Sequence, residues 1–95
     1  LDWHWPCVKI ERFTRALFHP KLPCAKAMIN NLPMEIPSAK IYKKKLGQML
    51  PGDLLLEAHG MVVACGDGFI LAETIRFDGQ TISMLGLKEM PSILR

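Results

Sequence analysis

Met61-Val62-Val63-Ala64-Cys65-Gly66-Asp67-Gly68-Phe69-Ile70-Leu71-Ala72-Glu73 is the stretch that decides how this chain folds. Two aliphatic, partly β-branched runs flank an acidic residue bracketed by glycines, and such runs favour the extended backbone. Gly66 and Gly68 are expected to supply the positive φ angles of a tight reversal. The product is a β-hairpin almost without polar side chains. What it contributes to function therefore lies in what it displays, not in bond-making of its own.

Upstream, an N-cap candidate at Asp2 precedes Cys7, Ile10, Phe13 and Leu17. At about 100° per residue these four fall within roughly a third of a helical circumference, which predicts an amphipathic helix ending before Pro20. Lys9, Arg12 and Arg15 point away from that stripe. The segment from His19 to Cys24 carries two prolines and reads as a loop. Ala27 to Ile29, a turn at Asn30-Asn31, and Met34 to Tyr42 read as a short hairpin, its second strand confined to an edge or bulge by Pro33 and Pro37. Pro51-Gly52-Asp53 is a turn before a strand over Leu54 to Ala58. His59-Gly60 leads into the central hairpin, and Asp78-Gly79 turns the chain into Thr81 to Leu85. One helix followed by five or six short strands is the pattern of a mainly β domain, an OB-like or another small Greek-key barrel, between which the pattern alone does not decide.

The sequence has 95 residues, 49% of them hydrophobic and 22% charged. That is enough for one domain with its own core and is not a disordered composition. Cys7, Cys24 and Cys65 form no CxxC spacing, so neither a disulfide framework nor a zinc ribbon is indicated; reduced thiols in a cytoplasmic protein are expected. No segment approaches the length of a membrane span, and no signal-peptide pattern opens the chain. The missing initiator Met suggests an excised piece of a longer protein. Net charge is +3, but it is unevenly placed: residues 1–50 hold nine Lys and Arg against three Asp and Glu, and the remainder three against six. Lys40, Lys43, Lys44 and Lys45 are the densest cluster, with Arg12 and Arg15 upstream on the helix. Such a set suits phosphate contacts, although a solvated lysine loop is the commoner explanation of such a run.

The whole series resembles the C-terminal domain of 10-formyltetrahydrofolate-dependent formyltransferases. Leu1-Asp2-Trp3 is similar to the segment that follows the interdomain linker in that family. Ile10 through Leu17 resembles its helix with an Arg-Ala-Leu ending. His19-Pro20-Lys21-Leu22-Pro23-Cys24-Ala25 stands in place of a Pro-aromatic-Pro-Gly-Ala loop; Pro51-Gly52 and the Cys65-Gly66-Asp67-Gly68 hairpin follow at the family's distances. Lys21 and Leu22 replace the family's aromatic and Cys24 its glycine, so this loop is expected to differ in shape.

The resemblance implies a single domain over residues 1–95, non-catalytic, attached to an N-terminal catalytic domain that binds 10-formyltetrahydrofolate. It implies no cofactor on this domain and no catalytic or metal-binding residue in it. In a methionyl-tRNA formyltransferase-like protein, Arg12, Arg15, Lys40, Lys43, Lys44 and Lys45 would face the tRNA as a basic surface, contacting its backbone without reading sequence. The alternatives are the accessory or oligomerising barrel of a sugar-nucleotide N-formyltransferase, with homo-oligomer formation, and a stand-alone interaction module. The His19-Pro20 start superficially matches a catalytic-domain loop of these enzymes, but no Asn-x-His pair accompanies it, so a structural loop is expected. Trp3 and Trp5 are expected to cover the core instead of stacking on bases, and the methionines to fill gaps.

Overall fold

The computed structural model describes residues 1–19, 23–29, 31–43 and 47–86. One helix, α1 (Cys7–Leu17), precedes eight strands: β1 (Ala25–Ile29), β2 (Leu32–Ile36), β3 (Lys40–Tyr42), β4 (Leu54–Glu57), β5 (Gly60–Ala64), β6 (Phe69–Ala72), β7 (Thr74–Phe77) and β8 (Gln80–Ser83). They form two four-stranded antiparallel sheets, ordered β1-β2-β7-β8 and β3-β6-β5-β4. The mainly β, barrel-like domain with one N-terminal helix is the expected class. No helix among the described residues is long and apolar enough to cross a membrane.

The opening hairpin is β5–β6, in register from Met61 opposite Ala72 to Ala64 opposite Phe69. Every residue of β5 is buried, which explains a continuous apolar run where a half-exposed strand would alternate. One core unites both sheets and α1: Ile10 of the helix joins Ile29 and Met34 of one sheet's hairpin, Met61, Val63 and Ile70 of the other, and Ile75. Trp3 is buried in it and donates its indole N–H to the Met28 carbonyl at 3.0 Å. Trp5 meets Phe13 edge-on at 5.3 Å. Both tryptophans thus cover the core, as expected. Met34, Met61 and Met84 are buried, whereas Met28 is exposed.

Several expectations are corrected. Gly66 and Gly68 do not take positive φ. They are required by close approach: a Cβ on Gly66 would sit 2.1 Å from the His4 carbonyl oxygen, and one on Gly68 3.2 Å from the Cys7 sulfur. Pro6, not Asp2, stands at the helix N-cap and offers no side-chain cap. Asp2 instead accepts the backbone N–H of His4, two residues on. The helix stripe is Cys7, Ile10 and Thr14, with Phe13 half-buried and Leu17 exposed. Thr14 can be fully buried because its hydroxyl donates to the Glu11 carbonyl at 2.8 Å.

The run from Met34 to Tyr42 is two strands in different sheets, broken at Pro37. β2 is not an edge: it lies between β1 and β7, but registers with β7 only through Glu35 opposite Arg76. That joint carries a half-buried ion pair at 3.7 Å, and the Glu35 carboxylate also accepts the Cys24 N–H. Pro33 sits opposite Met28 in β1, away from the joint to β7. At Asp78 and Gly79, φ of 51° and 78° make the tight hairpin turn that the Asp-Gly pair predicts.

Candidate functional site

α1 lies against β3 and β6. Its first residues, Cys7 and Val8, share a groove of about 570 Å³ with Ile41, Tyr42 and Lys43; its last turn, with Arg15 and Phe18, shares one of about 350 Å³ with Pro37, Ser38 and Lys40. Helix and segment 37–43 therefore run antiparallel, which brings cations from distant parts of the sequence onto one face. Val8, half exposed, also lines a third groove beside Lys9 and Arg12. It stands between Lys43 on one side and Arg12 on the other.

The cations on this face are not equivalent. Lys40 donates to Glu73 at 2.6 Å, and Arg15 pairs with Glu11 one helical turn back at 3.4 Å. Both are exposed pairs of modest strength, and each offsets its positive charge locally. Among the described residues, Arg12 and Lys43 form no ion pair. Lys9 lies over the Trp5 ring at 4.2 Å, a cation–π contact that leaves its charge available. Of the expected set, the structure thus places Arg12, Arg15, Lys40 and Lys43 on adjoining elements, with uncompensated charge concentrated at the Arg12–Lys43 end. Lys44 and Lys45 lie outside the described residues, as do Pro20 to Leu22 of the proline-rich loop. Lys9, which the sequence already places off the apolar stripe with Arg12 and Arg15, is the one cation of this face left out of the expected set; its spacing of three from Arg12 on the helix is the signal that marks it.

Cys7 and Asp67, which line the first groove, belong to a second constellation. Asp67, in the β5–β6 turn, accepts the Cys7 backbone N–H at 2.8 Å and so supplies the cap that the helix start lacks locally. Cys65 and Cys7 are joined as a disulfide with Cα atoms 6.1 Å apart, which corrects the expectation of three reduced thiols. Fifty-eight residues separate the two, so no local spacing signals their meeting. Cys24 is buried and takes no part in a disulfide. One atom each from Cys7, Cys65 and Asp67 lies within 4.8 Å of the others, the only such cluster of possible metal ligands among the described residues; the disulfide takes up both sulfurs. The N-terminal segment seats on the same turn, with the Gly66 N–H donating to the Trp5 carbonyl at 3.0 Å.

One helix packed on a mainly β, barrel-like domain with the Cys-Gly-Asp-Gly hairpin is the architecture that the resemblance implies. The chain belongs to the formyl transferase C-terminal domain family, whose model matches residues 1–87. It is 35% identical over 80 residues to a methionyl-tRNA formyltransferase of Roseiflexus castenholzii, covering 84% of this chain and 25% of that protein. Methionyl-tRNA formyltransferases of Magnetococcus marinus, 32% identical over 81 residues, and Legionella pneumophila, 36% identical over 83, are similar to 84% and 86% of this chain. The chain spans about a quarter of the length of these relatives.

Proposed function

We propose that this chain is the accessory, non-catalytic barrel of a formyltransferase that moves the formyl group of 10-formyltetrahydrofolate to the amine of methionyl-tRNA, in the cytoplasm. The formyl donor belongs to a catalytic domain N-terminal to it, which is its first partner. The barrel's own task is to hold the tRNA by electrostatic contacts along the α1–β3 face. The observation that carries this reading is the clustering of Lys9, Arg12 and Lys43 around Val8 without carboxylate partners among the described residues. It is supported by the similarity to methionyl-tRNA formyltransferases over most of the chain.

Contacts of this kind release counterions, so affinity falls as salt rises. About four phosphate contacts give a slope of log K against log salt near −3. The test compares full-length protein and an Arg12→Glu/Lys43→Glu variant in binding initiator methionyl-tRNA over a salt series. A weaker affinity with a slope shallower by about 1.5, for two lost phosphate contacts, is expected. Identical curves would remove the tRNA-binding face and return the amino-sugar alternative, in which these cations only solubilise the barrel.

A further inference from the structure

We propose that Cys7 and Cys65 form a reversible dithiol–disulfide clamp, opened and closed by a small-molecule disulfide of the glutathione class, that fixes the start of α1 to the β5–β6 turn. The proposal does not depend on the tRNA reading. Three observations carry it. The two Cα atoms, 6.1 Å apart, lie in the window a disulfide spans, so the pair is within bonding reach. The sites are held together without the bond, since Asp67 accepts the Cys7 N–H and Gly66 donates to Trp5. The thiols of the reduced protein therefore stay in register for reclosure. Finally, both cysteines are buried, but Cys7 lines the groove beside Val8 and Tyr42 and Cys65 does not, so that groove is the route by which a reagent reaches the pair.

The chemistry balances as two thiol–disulfide exchanges. The Cys7 thiolate attacks one sulfur of glutathione disulfide, breaking its S–S bond and releasing one glutathione thiolate, which takes up the proton lost by Cys7. The Cys65 thiolate then attacks the Cys7 sulfur of the mixed disulfide and releases the second glutathione, again with one proton. Two electrons pass from the cysteine pair to the glutathione disulfide. Cys24, buried and not part of this groove, remains a thiol throughout.

What the clamp controls is the seating of Leu1 to Pro6 and the first turn of α1, the part of the helix that leads into Lys9 and Arg12. A bond that closes a loop of 58 residues removes a large share of the unfolded chain's freedom, so the oxidised form should melt about 10 °C or more above the reduced form. In a reducing cytoplasm the pair rests as thiols and closes under oxidant load.

The test equilibrates the chain in a series of reduced-to-oxidised glutathione ratios, traps free thiols with a maleimide, and reads intact mass, linked peptides and melting temperature. The expected result is a single transition in which two thiols vanish together with the loss of two hydrogens. It should yield a Cys7–Cys65 linked peptide, leave Cys24 alkylated, and slow amide exchange in the first turn of α1. Cys65→Ser should leave Cys7 able to form only a mixed disulfide with glutathione. Three results would each overturn the proposal: both thiols alkylated at every ratio, a bridge that involves Cys24, or oxidation with no change in melting or exchange. So would stoichiometric Zn²⁺ binding that protects Cys7 and Cys65 while glutathione disulfide leaves them reduced. The wild-type titration alone decides these outcomes should a serine variant fail to fold.

Discussion

Asp67 accepts the backbone N–H of Cys7 across 60 residues of sequence, at 2.8 Å. A helix whose own N-cap is a proline, which offers no side-chain oxygen, is capped by a residue from the turn of the central hairpin. This bond makes helix placement a consequence of sheet formation: α1 acquires its cap only when β5 and β6 have paired and presented their turn. Asp67→Ala should cost about 1 kcal/mol, the usual worth of a capping side chain, and lower the melting temperature by roughly 4–8 °C. Asp67→Asn keeps an accepting oxygen at the same place and should restore most of the loss. Thermal melts of the two variants check the pair of outcomes.

Gly66 is needed for room, not for an unusual φ. Because a Cβ there would meet backbone oxygen instead of a flexible side-chain tip, Gly66→Ala must displace either the turn or the N-terminal segment. A loss of about 1–3 kcal/mol follows, the cost of forcing atoms into a filled site. Gly79 poses the opposite case: a Cβ there would meet nothing within 4 Å, but φ is 78°. Gly79→Asn should therefore be nearly neutral, since asparagine tolerates the left-handed region. Denaturant unfolding of both variants should rank Gly66→Ala well below Gly79→Asn.

The Asp2 carboxyl is held below the ordinary aspartate range, first by the His4 backbone N–H at 2.8 Å and next by the His4 imidazole at 3.0 Å. A carboxyl lowered in the folded state stabilises fully above its unfolded value of about 3.9, and that contribution is lost as pH falls through the lower folded value. Asp2→Asn should therefore flatten the stability-against-pH curve below about pH 4 and leave its slope unchanged near neutrality. An NMR titration of the Asp2 carboxyl carbon, with a midpoint below that of an unstructured aspartate, checks the direction.

Much of the fold was legible because its signals are local. The unbroken apolar run of β5, the Asp-Gly turn between β7 and β8, and the apolar spacing of Cys7 and Ile10 each report on a few neighbouring residues. The rest depends on partners far along the chain. β7 follows β6 after a single bend at Glu73, with no glycine or proline to mark where one strand ends and the next begins. The split at Pro37 into strands of different sheets, the cap from Asp67 and the meeting of Cys7 with Cys65 have no short-range signature. The candidate site divides the same way. Its residue types were readable. The neutralisation of Lys40 by Glu73, 33 residues away, was not, and it shifts the weight of the basic face toward Lys9, Arg12 and Lys43.

The central claim is that a barrel with no bond-making role presents this face to the acceptor. It is tested most directly by formylation kinetics of the full-length protein carrying Arg12→Glu and Lys43→Glu, with methionyl-tRNA as the varied substrate. Loss of two phosphate contacts should raise KM for methionyl-tRNA about 10-fold or more while kcat stays within about 2-fold, because only uniform binding is removed. An unchanged KM, or a collapse of kcat at constant KM, would contradict it.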